Sequence, residues 1–176
     1  KDKALKQTFD TAAELLEVQA KRLQAKGYSF NIDEAELDNF TKKFPYTETF
    51  DQKRTIEEVL SDMKSLKAMD RLVCGEVGFG KTEVAMRAAY ISALNNKQTC
   101  ILVPTTLLAS QHFSSFKERF EETGINIGLL SRNINARDKT ELLQNLSNGE
   151  IDIIIGTHAL IQGNITFKDL GLLIID

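Results

Sequence analysis

The sequence predicts an α/β fold, a parallel sheet with helices on both faces, preceded by a long amphipathic helix. Three observations carry this. Five short apolar runs recur after residue 70, at 71–74, 99–103, 125–130, 151–155 and 172–175. Their side chains are solidly apolar rather than alternating, as strands covered on both faces require. Between them, residues 82–94, 107–120 and 135–146 have helical spacing.

The N-terminal part reads differently. Leu5, Phe9, Ala12, Leu16, Gln19 and Leu23 alternate spacings of four and three, which lines one stripe of a helix, with Gly27 as its stop. The stripe is compatible with packing on its own domain and with docking on something outside these residues. Residues 28–50 are acidic. Asp33, Glu34, Glu36 and Asp38 flank Leu37 and Phe40, predicting a short helix over 33–43 before Pro45 breaks the chain. Residues 52–63 form a further helix with Ile56, Val59, Leu60 and Met63 on one face. The expected organisation is a connecting helix over 1–28, a short helical linker segment over 29–50, and an α/β lobe over 51–176.

Composition narrows the possibilities. The chain has 176 residues, 42% apolar and 27% charged, which suits a core that needs no disulfide or metal staple. No apolar run approaches the ~18 residues of a membrane helix, and the first residues lack a signal-peptide pattern. Net charge is −3, spread evenly along the chain, so a phosphate-bearing partner would be held by local features rather than a bulk field. Cys74 and Cys100 sit in apolar runs and read as two buried thiols of a reducing, cytoplasmic protein. With no CxxC pair, and with His112 and His158 far apart, no structural zinc is expected.

The strongest chemical signal is Gly75-Glu76-Val77-Gly78-Phe79-Gly80-Lys81-Thr82, a G-x4-G-K-T string between an apolar run and a helix. Such a loop turns successive backbone N–H groups toward phosphate oxygens at the positive end of the following helix. Lys81 would add a point charge at the β and γ phosphates, and Thr82 a hydroxyl for Mg²⁺. A second metal ligand is an Asp at the end of a neighbouring strand, the place that Asp176 takes after Leu172-Leu173-Ile174-Ile175. No Asn-Lys-x-Asp guanine reader is present, since Asn96-Lys97-Gln98-Thr99 lacks the Asp. Three predicted strand ends carry small donors: Thr105-Thr106, Ser131-Arg132 and Gly156-Thr157-His158. In an open parallel sheet, ligands bind beyond those ends, and such donors suit a phosphodiester backbone. Each is also an ordinary helix cap or turn residue.

Taken together, these motifs resemble superfamily-2 DNA translocases. The matching strings are Phe50-Asp51-Gln52, the loop over 75–82, Val103-Pro104-Thr105-Thr106-Leu107-Leu108-Ala109, Gly156-Thr157-His158-Ala159-Leu160 and Leu173-Ile174-Ile175-Asp176. Residues 68–89, reading AMDRLVCGEVGFGKTEVAMRAA, are similar to the bacterial transcription-repair coupling factor family. RecG-like branched-DNA helicases share the motif order. The resemblance covers residues 44–176, and more weakly Ala12-Ala13-Glu14-Leu15-Leu16, which looks like that family's helix leading into the motor.

The resemblance implies a RecA-like first motor lobe that uses ATP and Mg²⁺ on double-stranded DNA. Lys81, Thr82 and Asp176 would be catalytic, with Thr82 and Asp176 at the metal, the latter through water. Nucleotide would be held by Gly75, Glu76, Val77, Gly78, Phe79, Gly80, Lys81 and Thr82. Gln52 would read adenine, and Phe44 or Tyr46 would stack on it. The DNA backbone would lie on Thr105, Thr106, Ser131, Arg132, Gly156, Thr157 and His158. The implied partners are a second motor lobe and, through domains outside these residues, RNA polymerase and the excision-repair machinery. The implied activity is displacement of stalled polymerase coupled to repair. A RecG-like helicase lobe and a non-catalytic nucleotide-binding or docking fragment are the alternatives. The family motif continues Asp-Glu-Glu-His, whereas the sequence stops at Asp176, so the 176 residues alone are expected to be essentially inactive as an ATPase.

Overall fold

The computed structural model describes residues 2–76, 78–132, 134–162 and 165–176, except for the side chains of residues 2–5 and Leu23. Four parallel strands form its sheet: β1 (Gln98–Leu102), β2 (Ile127–Leu130), β3 (Ile153–Gly156) and β4 (Leu170–Ile175). They lie in the order β2-β3-β1-β4, with Ile101 level with Ile155 on one side and Ile174 on the other. The helices are α1 (Asp2–Gln24), α2 (Glu34–Lys42), α3 (Phe50–Lys64), α4 (Lys81–Leu94), α5 (Thr106–Phe120) and α6 (Ala136–Asn148).

The solidly apolar β3 shows why both faces are covered. Ile153 and Ile155 enter one core cluster with Phe116 and Phe120 of α5 and Met86 and Ala89 of α4. Ile154 points the other way, against Leu146 of α6 and Cys100 of β1. All three isoleucines have zero exposure. A third cluster joins Ile56, Val59 and Met63 of α3 to Val84, Ala88 and Ile91 of α4.

Local chemistry sets the helix boundaries. Asp33 caps α2 by accepting the Ala35 and Glu36 N–H groups, as the acidic segment predicts. Thr49 and Gln52 form a reciprocal capping box on α3. Asn135 caps α6, which ends at Gly149 in the left-handed region. The helix expected over 33–43 and the four later strands match the sequence to within about two residues.

Three expectations are corrected. The run at 71–74 is not a strand. Arg71 is held by Glu58 and Asp62 of α3, both at 2.6 Å, Leu72 is 86% exposed, and only Val73 turns toward the core. Those ion pairs hold Arg71 against α3, and among the described residues the run forms no ladder with the sheet. Cys74 is accordingly exposed rather than buried, whereas Cys100 is buried in β1 and desolvation pushes its thiol up to about 11. Finally, α1 ends at Gln24, before Gly27. Gly27 serves instead where the chain passes Lys67 and Ala68: a Cβ there would lie 2.6 Å from the Ala68 nitrogen.

The apolar stripe of α1 is open, with Phe9 68% and Leu16 71% exposed. Its described members, Phe9, Ala12, Leu16 and Gln19, are all exposed rather than packed on the lobe. Among the described residues, no helix is long and apolar enough to cross a membrane.

A buried carboxamide fastens the rear of the sheet. Gln98 donates to the Leu146 and Ile151 carbonyls at 2.8 and 2.7 Å, and accepts the Lys168 and Asp169 N–H groups at 2.8 and 3.0 Å. Gln98→Met keeps the volume and removes all four bonds, leaving backbone groups without partners. The expected loss is about 2–4 kcal/mol by urea unfolding; a loss below about 0.5 kcal/mol would contradict this reading.

Candidate functional site

The loop between Gly75 and Lys81 leads into α4, and Gly80 sets the junction. Its φ of +72° lies in the left-handed region, and a Cβ would sit 2.2 Å from the Gln52 amide nitrogen. No side chain caps α4, although the Glu83 N–H bonds the Gly80 carbonyl at 3.0 Å. An uncapped helix start offers its N–H groups to an anion. Lys81 folds back over the loop, where Nζ donates to the Gly75 and Glu76 carbonyls at 2.7 and 2.9 Å. Phe79 is 40% exposed, and Gly78 has a φ of +85°. Val77 lies outside the described residues.

Two cavities flank this helix start. The larger, about 890 Å³, is lined by Phe44, Tyr46, Thr49, Gln52, Gly80 and Thr82, among others. The Gln52 oxygen accepts the Thr49 N–H at 2.7 Å, and its amide donates to the Phe79 carbonyl at 2.7 Å. A carboxamide has two donors and two acceptor positions, so one of each remains for a ligand. Phe44 is half-buried and meets the ring of Tyr46 edge-on at 5.5 Å, while Tyr46 is 74% exposed.

The smaller cavity, about 200 Å³, brings Lys81, Thr82, His112 and Asp176 to one wall. The Asp176 N–H continues the β1–β4 ladder to the Leu102 carbonyl at 3.0 Å, which places its side chain beside the loop. His112 Nε2 contacts Asp176 Oδ2 at 2.6 Å. A hydroxyl and a carboxylate are hard oxygen donors and suit Mg²⁺. Among the described residues, no three His, Cys, Asp or Glu side chains converge as a metal site. An ion here would therefore take its other ligands from phosphate oxygens and water. His112 was not foreseen as a site residue. No spacing relates positions 112 and 176; only the pairing of β1 with β4 brings them together.

The strand-end donors fall into two groups. Thr105, Thr106, Arg132 and His158 are exposed beyond β1, β2 and β3, which are neighbours in the sheet, and Ser131 is half-buried. Gly156 and Thr157 are buried. A Cβ on Gly156 would meet the Leu130 carbonyl at 2.7 Å, so this glycine serves strand packing. The Thr105 hydroxyl accepts the Leu108 N–H and caps α5, whereas the Thr157 hydroxyl is buried without a hydrogen-bond partner among the described residues.

Comparison with known proteins gives the family and the fold. Residues 49–176 match the family model of the DEAD/DEAH box helicase. The whole chain is 53% identical to a transcription-repair-coupling factor of Haemophilus influenzae and 49% identical to that of Escherichia coli K12. It is 50% identical to that of Bacillus subtilis over 95% of its length. The chain spans about 15% of the length of these relatives. Among solved structures, it is similar to RecG bound to a three-way DNA junction, with TM-score 0.84 and 38% identity over 89% of this chain and 22% of that one. It shares its fold with a hypothetical ATP-dependent RNA helicase from Sulfolobus tokodaii, at TM-score 0.55 and 15% identity over 73% of this chain and 35% of that one.

Gly80→Ala tests the junction. The substitution forces a side chain into a left-handed position and onto Gln52, so a loss of about 1–3 kcal/mol is expected in urea unfolding. A loss within about 0.5 kcal/mol, the range of a neutral surface change, would contradict the geometry.

Proposed function

Because the chain belongs to the DEAD/DEAH box helicase family, we propose that it is the ATP-binding first lobe of a double-stranded DNA translocase. That motor displaces stalled RNA polymerase and couples transcription to nucleotide excision repair. The observation that carries the reading is the meeting of Lys81, Thr82 and Asp176 on one cavity wall at the uncapped start of α4. The full-chain identity of 53% to a transcription-repair-coupling factor supports the finer assignment.

In this reading, the first N–H groups of α4 and Lys81 bind the β and γ phosphates, and Lys81 leaves the Gly75 and Glu76 carbonyls to do so. Thr82 and, through water, Asp176 would hold Mg²⁺, which when bound would polarise the phosphoryl oxygens. Gln52 offers its remaining donor and acceptor to the adenine edge, with Phe44 or Tyr46 against its face. The exposed Thr105, Thr106, Arg132 and His158, with Ser131, grip the phosphodiester backbone. Gly156 and Thr157 shape that edge from beneath. The second motor lobe, RNA polymerase and the repair machinery are partners of the longer protein, and the setting is cytoplasmic.

Lys81→Ala should weaken binding of ATP with Mg²⁺ by about 10- to 100-fold in calorimetry, the scale of losing a charge-assisted phosphate contact. Residues 1–176 alone suit this titration, because without a second lobe turnover is proposed to be negligible. Unchanged affinity would overturn the phosphate assignment.

The likeness to RecG at TM-score 0.84 favours a second reading, a branched-DNA helicase lobe. The first is preferred because the coupling-factor match is both higher in identity and complete over this chain. In the full-length protein, linear duplex and three-way junction DNA should stimulate ATP hydrolysis to within about threefold, a free-energy difference under 1 kcal/mol. Strict dependence on the junction would reverse the preference.

A further inference from the structure

Four charged side chains, Glu83 and Arg119 on the lining of the larger cavity and Glu48 and Arg87 paired beside them, are not used by the phosphate, metal and base assignments. Glu83 directly follows Thr82 on α4 and is 5% exposed; Arg87, one turn on, is 4% exposed. Arg87 Nε donates to Glu83 Oε1 at 2.9 Å, and its Nη2 donates to Glu48, which lies three residues after Pro45. Arg119 of α5 reaches the same Glu83 oxygen at 3.2 Å and donates to the Phe40 carbonyl at 2.6 Å. Two carboxylates therefore balance two guanidinium groups inside the protein. Burial of charge on this scale is tolerated only when every member is paired.

The quartet joins distinct pieces of chain. Glu83 and Arg87 belong to the helix that begins at the phosphate loop. Glu48 belongs to the stretch between Phe44 and Thr49 that forms a wall of the larger cavity. Both guanidinium groups also face rings of the N-terminal segment: Arg87 lies 5.9 Å from the centroid of Phe44, and Arg119 lies 4.0 Å from that of Phe40. The aromatic side chain and the glutamine at the base pocket thus flank the one carboxylate in that stretch that α4 grips.

We propose that Glu48, held by Arg87 and through it by Glu83, is a positioning residue for nucleotide base selection. It fixes the segment carrying Phe44 and Gln52 at a set height above the phosphate helix, so that a purine lying on Lys81-bound phosphates meets its reader in register. The inference rests on the base-reading role proposed for Gln52. It differs from that role in locating discrimination partly in a buried ion pair that touches no ligand. A bidentate-capable guanidinium suits this task better than an ammonium, because its planar fork holds two carboxylates in fixed directions.

The test uses the full-length protein and three ligands: ATP, GTP and inorganic tripolyphosphate. Glu48→Ala should weaken ATP binding about tenfold, the scale of one charge-assisted hydrogen bond at a half-buried site. Its preference for ATP over GTP should fall toward unity. Tripolyphosphate affinity should stay within about twofold, because the phosphate loop and Glu83 are untouched. Glu48→Gln keeps the hydrogen bond to Arg87 and should recover most of the base preference; it also serves if the alanine variant folds poorly. A merely structural role would lower ATP, GTP and tripolyphosphate binding together, and that outcome overturns the proposal. So does a Glu48→Ala protein that keeps the wild-type base preference. If the wild-type protein itself shows no preference, the base-reading role of Gln52 fails and this inference fails with it.

Discussion

The burial of α4 on all its sides is the constraint from which the site follows. Val84, Ala88 and Ile91 pack toward α3 and β4, while Met86, Ala89 and Tyr90 pack toward β1, β3 and α5. A helix packed on all its faces, with its buried charges Glu83 and Arg87 paired to each other, has little freedom to shift. Its first turn is therefore fixed at the edge where β1 and β4 end. The N-terminal segment is stitched along its length. Asn95 at its C-terminus exchanges two hydrogen bonds with the Asn31 backbone, at 2.8 and 2.7 Å. Tyr90 stacks on Phe40 at 4.2 Å and donates to Glu36. At the other end, Gln52 reaches the Phe79 carbonyl just before the helix begins. Residues 30–52 thus lie along α4 as a strap, and a pocket opens where the strap meets the phosphate loop.

The parts of the structure that were legible in the sequence are those in which neighbouring residues decide the outcome. Strand runs such as Ile153-Ile154-Ile155 announce two-sided burial by composition alone. Asp33 and Asn135 announce helix starts because a cap needs only residues two or three positions ahead. The glycine-rich loop is legible for the same reason. What could not be read depends on partners distant in the chain. Arg71 is held by Glu58 and Asp62 of α3, and nothing in a Leu-Val-Cys string signals that contact. Thr105 and Thr157 look alike at their strand ends, yet one caps a helix and the other is buried by the turn that follows β3. The acidic stretch reads as a solvated face, and Asp33, Glu34, Glu36 and Asp38 are exposed; what it does not announce is the depth at which its apolar Phe40, 2% exposed, joins the main core. The aromatic cluster that accepts it, with Tyr90 and Phe120, is assembled from three helices.

Charge is distributed to suit a site that is electrically local. The net charge of −3 gives no attractive bulk field for a polyanion. Arg87 and Arg119, the arginines nearest the larger cavity, are matched by Glu83 and Glu48 and so contribute orientation more than potential. What the proposed phosphate site offers instead is the open end of a helix and a lysine resting on carbonyls. Both are short-range attractions, falling off within the first turn or a few ångströms. A chain built this way selects a ligand by shape and hydrogen bonding after contact rather than by steering it from a distance.

Thr82 is where the two cavities meet, since it lines both. On one side lie Gln52, Phe44 and Tyr46, on the other Asp176 and His112. Only Lys81 separates Thr82 from Gly80, whose lack of a side chain lets Gln52 approach. The proposed base-reading and metal-side residues are therefore not two distant sites in need of a pathway. They flank one turn at the start of α4. α4 is held along its whole length, so loosening the strap at Glu48 would leave Thr82 and the phosphate side in place while the larger cavity changes shape. The two sides of the turn are then separable, which is why base preference can change without phosphate affinity changing.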